Sequence, residues 1–143
     1  MDWKNILVAA LVYTVVAQAF HTAGAILTMD YYTNPAYFPL WSRLMMSDAG
    51  PPGAEFFIFA LVFGLVQGTV FAASYEVLKK SVPGKEGRRG LNFGLMLFLI
   101  VQVPSTLTSM LLLAVPVPLL MAWSLESFAA FAVSGYAFSK LIR

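Results

Sequence analysis

Cysteine is absent from the 143 residues. That excludes a disulfide framework, a thiolate metal site and thiol redox chemistry. Charge is scarce: Asp, Glu, Lys and Arg make up 11% of the chain, against about 25% in an ordinary soluble domain. Histidine occurs once, which excludes bis-histidine haem ligation. One histidine and one neighbouring carboxylate also fall short of the three protein ligands of a catalytic zinc. There is no Walker loop, no Gly-rich dinucleotide turn after a strand and no nucleophile elbow. No period-2 alternation over about ten residues recurs, which argues against a transmembrane barrel. No cofactor, metal or nucleic-acid partner is implied.

What the chain does have is apolar surface. Hydrophobic residues make up 59%, against about 45–50% in soluble domains, and the mean hydropathy is +0.77. The surroundings must be largely lipid, and the length allows one unit. A bilayer core about 30 Å thick needs about 20 apolar helical residues. Four segments are that long: residues 5–28, 54–78, 91–115 and 117–139. A cleaved leader could account for Lys4, the apolar run and the Ala17-Gln18-Ala19 triplet. The apolar stretch continues past that triplet to Leu27, so a retained span is expected. The predicted fold is an all-α bundle of four transmembrane helices.

Charge sets the expected orientation. Lys79, Lys80, Lys85, Arg88 and Arg89 supply five of the nine basic residues within residues 79–90 and are opposed there only by Glu86. Lys4, Lys140 and Arg143 lie near the termini, whereas the first loop sets Arg43 against Asp30 and Asp48. The positive-inside rule puts both termini and the basic loop in the cytoplasm, as in a prokaryotic inner membrane. The same five cations are candidates for contact with anionic membrane lipids.

The outer loop, residues 29–53, carries Tyr31, Tyr32, Tyr37, Phe38 and Trp41. Amphipathic rings favour headgroup depth, so an interfacial segment is expected there, with Tyr37, Trp41, Leu44 and Met45 on one face. Pro39 breaks any single helix through it. Residues 48–53, rich in Gly and Pro, should turn the chain into the second span. Pro116 and Pro118 make the last connection short and stiff, so the third and fourth spans should be antiparallel neighbours. Pro118 suits a first helical turn.

Polar groups inside spans are costly and should face protein or trapped water. Thr14, Gln18, His21, Gly24 and Thr28 recur at helical spacing on the first span, and Gln102, Ser105, Thr106 and Ser109 on the third. Glu126 is the one acidic residue well inside a span, with small neighbours at Ala122, Ala129 and Ala130. His21 and Glu126 both lie roughly 10–12 Å below the outer helix ends at 1.5 Å rise per residue. They therefore centre the candidate ligand or proton site, with Gln18, Gln67, Gln102, Ser105, Thr106 and Trp123 around them. Taking a carboxylate out of water favours its neutral form, and a protonated histidine beside it restores the charge. Such a pair can exchange a proton near neutral pH.

Pro104 removes the hydrogen bond to the carbonyl of Ile100 and should act as a kink or hinge. Ala60, Gly64, Gly68 and Ala72 form a small-residue seam for another helix, in this chain or in a second copy of a homo-oligomer. Small four-helix multidrug exporters also use a membrane carboxylate, but in the first span, whereas here it is in the fourth. The leading functional expectation is binding or transport of a small amphipathic or lipid-like molecule, linked to protons. The alternative is a structural or accessory subunit whose polar groups lock helices together. An intramembrane enzyme acting on a lipid or quinone ranks third, for want of a nucleophile or cofactor motif.

Overall fold

Asp2 opens the first helix, α1 (Trp3–Leu27), by accepting hydrogen bonds from the backbone N–H groups of Lys4 at 3.2 Å and Asn5 at 3.4 Å. A carboxylate in this position satisfies donors that have no partner inside the helix. The computed structural model describes residues 2–46 and 52–142, and among these there is no strand. A short helix, α2 (Asp30–Thr33), and a 3₁₀ turn over Pro35–Leu40 follow. The remaining helices are α3 (Ala54–Leu78), α4 (Glu86–Leu97), α5 (Val103–Leu112) and α6 (Val117–Leu141). Of the turn expected at 48–53, all but Pro52 and Gly53 lies outside the described residues, as do Asp48 and Arg143.

Among the described residues four helices are long and apolar enough to cross a membrane: α1, α3, the α4–α5 rod and α6. Their outward faces are apolar; Ile58 and Val66 on α3 are 59% and 58% exposed. Such faces would be a liability in water and suit hydrocarbon.

The third rod starts at Glu86, not at residue 91. Gly84 takes φ +110°, a left-handed conformation that glycine adopts freely, and turns the chain into α4. Glu86 then sits in the first turn, where the helix dipole favours a carboxylate. Arg88 and Arg89 are consequently helical, and the basic connection shrinks to residues 79–85. Ahead of Pro104 the rod widens into a π turn over Phe98–Gln102, with the Val103 N–H bonded to the Phe98 carbonyl. A wide turn of this kind absorbs a helix irregularity within one turn.

α1 and α6 are the inner helices. α1 packs on both α3 and α6, and α6 packs on α4, so the order across the bundle is α3, α1, α6, α4–α5. The core lies towards the end that carries the basic residues. There Tyr75 of α3, Phe93 of α4 and Phe138 of α6 are almost fully buried, with the Tyr75 and Phe93 centroids 5.2 Å apart. Glycines bring α4 and α6 together. A Cβ on Gly90 would overlap the Gly135 carbonyl, one on Gly94 the Phe131 carbonyl, and one on Gly135 the Gly90 carbonyl. Gly90 and Gly94 are thus a second small-residue seam, with a Gly-x-x-x-Gly spacing in the sequence.

The seam on α3 finds its partner in the same chain. A Cβ on Gly68 would lie 2.7 Å from the Ala10 carbonyl oxygen, and one on Gly64 would lie 3.0 Å from Thr14 Cγ2. Ala72 is fully buried and Ala60 half-buried.

Candidate functional site

His21 lies on α1 and Glu126 on α6, the two inner helices. Their side chains meet, with His21 Nδ1 2.9 Å from Glu126 Oε2. The Glu126 side chain is 10% exposed and that of His21 49%. One partner is therefore held inside the protein while the other reaches its surface.

Gly24 makes this placement possible. It lies one turn beyond His21 on α1, and a Cβ there would overlap the Glu126 carboxylate. The bare backbone lets the carboxylate rest against α1. Glu126 Oε1 is buried there and has no hydrogen-bond partner among the described residues. A buried polar oxygen without a partner costs about 1–3 kcal/mol, more if charged. This atom is the unsatisfied centre of the site.

One turn before Glu126, Trp123 donates its indole N–H to the Tyr32 hydroxyl at 3.1 Å. The Tyr32 ring stacks on Trp41 at 4.8 Å, and Trp41 lies 6.1 Å from Trp123. Trp41 in turn donates its N–H to the Tyr31 carbonyl at 3.0 Å. The loop is thereby tied to α6 through three rings beside the Glu126 site. Burial pushes the Tyr32 hydroxyl above its ordinary titration range. Hydrogen bonds with Trp123 and Thr28 oppose that shift, and the Glu126 charge adds to it. Thr28 donates its hydroxyl to the Gly24 carbonyl at 2.8 Å, linking the loop end of α1 to the glycine that houses Glu126.

The other polar candidates fall into separate groups. Gln102 Nε2 donates to Thr106 Oγ1 at 3.1 Å, and Thr106 shares a 2.6 Å hydrogen bond with Ser124. That ladder joins the third rod to α6. Gln67 accepts from the Tyr13 hydroxyl at 3.3 Å, between α3 and α1. Gln18 donates to Thr22 at 3.3 Å along its own helix, and both line a shallow, open apolar hollow with Val15, Ala19, Ile26 and Leu61. Ser105 is exposed. His21, Glu126 and Gly24 thus meet at one point, and Trp123, one turn away on α6, gathers Tyr32 by a hydrogen bond and Trp41 by ring contact. The hydrogen bonds do not tie Gln18, Gln67, Gln102, Ser105 or Thr106 to the carboxylate.

Tyr32, Trp41 and Ser124 were not singled out from the sequence as site residues. For Ser124 the spacing gave no signal towards the site, since it precedes Glu126 by two and so falls on another face of α6. For the loop rings there was none, because their position depends on how residues 29–46 fold back. Comparisons with protein-family models, with curated proteins and with solved structures return no match.

Proposed function

We propose that this is an integral membrane protein that binds, and moves within or across the bilayer, a small amphipathic or lipid-like molecule at the His21–Glu126 pair. The observation that carries the reading is the state of Glu126. One carboxylate oxygen is held by histidine, and the other is buried with no partner among the described residues. A ligand that donates a hydrogen bond, or carries a cationic head, would satisfy that oxygen. Protonating the carboxylate would release such a ligand, and the half-exposed His21 gives the proton a route to the surface. Tyr32, Trp41 and Trp123 would supply apolar and π contacts beside the charge.

The topology proposed with it places both termini and residues 79–85 in the cytoplasm of a prokaryotic inner membrane, by the asymmetry of Lys and Arg. The α3 seam is already occupied by α1. A homo-oligomer would therefore form through the aromatic loop or the outward apolar faces.

A second reading has its own support. The carboxylate touches histidine directly and lies tight against Gly24, as an interhelical lock in an accessory subunit would. Glu126→Gln separates the two. In liposomes containing a pH-sensitive dye and a fluorescent amphipathic amine, the transport reading expects proton-linked amine uptake to fall at least tenfold in the variant. Unchanged uptake, together with a lower melting temperature in detergent, would leave only the structural lock.

A further inference from the structure

The basic end of the bundle holds a cavity of about 490 Å³ where α3 ends, α4 begins and α6 ends. That volume is within the roughly 300–1,000 Å³ range of small-molecule sites. Lys79, Lys80 and Arg89 line it with Glu86, Tyr75 and Ser139. Among the described residues the lining therefore sets three cations against one carboxylate. Glu86 is itself engaged by Lys140 at 3.3 Å, and Lys79 by Glu76 at 2.9 Å. Arg89 Nε is buried with no hydrogen-bond partner among the described residues. Lys85 and Arg88 belong to the same run of charge but do not line the cavity.

We propose that this cavity is a binding site for a phosphate-bearing anion. The chemistry rests on Arg89 and Lys80. A planar guanidinium pairs with two oxygens of one phosphate, and a lysine adds a point charge beside it. Lys79 and Lys80 directly follow the last residue of α3. If α3 spans the membrane, the site therefore lies at headgroup depth, where cations gain from anionic surfaces. Tyr75 forms an apolar wall that would exclude water from one side of the group. The occupant is the headgroup of an anionic phospholipid or a free phosphate; both present the same oxygens. The site does not depend on the proposal for Glu126, which does not line it.

The test uses the whole chain, delipidated in a neutral detergent. Phosphatidylglycerol, phosphatidylcholine and inorganic phosphate are added separately. Binding is followed by native mass spectrometry and by the shift in melting temperature. Phosphatidylglycerol is expected to bind in preference to phosphatidylcholine. Lys80→Gln and Arg89→Gln should each weaken it about fivefold or more, while Lys85→Gln and Arg88→Gln leave it within twofold. A shift with inorganic phosphate showing the same variant pattern would identify a free anion as a ligand; a response to phosphatidylglycerol alone would identify the lipid. Lys80 is exposed, so its variant keeps the test decisive should Arg89→Gln fail to fold. Equal losses in both pairs of variants, equal binding of the two lipids, or no binding in any arm would overturn the proposal.

Discussion

The two ends of this bundle use glycine in opposite ways. At the basic end, Gly90, Gly94 and Gly135 press backbone against backbone between α4 and α6. Tyr75, Phe93 and Phe138 are buried beside them. At the aromatic end, Gly24 makes room for a side chain, the carboxylate of Glu126. A backbone cannot step aside cheaply, whereas a carboxylate can rotate. The α4–α6 contact at the first end is therefore built to be closed. The second is built around a group that can move and has an oxygen left to satisfy. The two kinds of contact thus lie at different points along α6, one against α4 and the other against α1.

Substitutions at these glycines test that division. Gly135→Val should have the largest effect, costing about 3 kcal/mol because its Cβ meets the Gly90 carbonyl. A large drop in melting temperature, or loss of folded protein in detergent, is expected; a wild-type melting curve would break the comparison. Gly24→Ala should cost less, about 1 kcal/mol, because the carboxylate can swing away. It should nevertheless detach Glu126 from His21, visible as loss of the 2.9 Å contact in a structure of the variant and as a changed His21 side-chain chemical shift by NMR. If Gly24→Ala destabilises as much as Gly135→Val, the aromatic end is packed as rigidly as the basic end. The smallest effect separates the Thr106 ladder from its neighbour. Thr106→Val loses the bond to Ser124, worth about 0.6 kcal/mol, and Ser105→Ala, at an exposed position, should change nothing measurable. Equal effects at 105 and 106 in thermal unfolding would show that the ladder contributes nothing.

Much of the fold is legible in the sequence because hydrocarbon imposes a simple rule. A segment must be apolar over about 20 residues, and its backbone must bond to itself. That rule places the four long helices within a few residues. It missed the early start of the third, where a glycine with positive φ and an N-terminal glutamate carry the helix past two arginines. Pro104 marked an irregularity in advance. Its form, a π turn one residue upstream of Val103, is a matter of local hydrogen bonding rather than composition.

The candidate site was half legible. Glu126 and His21 were singled out by their cost in a membrane and by matching depth, and they meet at 2.9 Å. Equal depth did not make neighbours of the other polar residues. Gln67 bonds to Tyr13, Gln102 to Thr106 and Gln18 to Thr22. Depth is one coordinate of three; the remaining two depend on which helices adjoin and how each is rotated.

The sequence by itself determined that the chain is helical, that four helices are apolar enough to span a bilayer, and which ionisable groups are expensive to bury. These follow from residue-by-residue transfer energies and helical rise, which need no knowledge of neighbours. Only the tertiary structure decided that α1 and α6 lie inside, that the α3 seam is filled by α1, and that Tyr32 and Trp41 fold back onto Trp123. It also decided which three of five clustered cations share a cavity. Helix order and rotation arise from close packing between segments far apart in the chain, and pattern within any one segment carries no information about that packing.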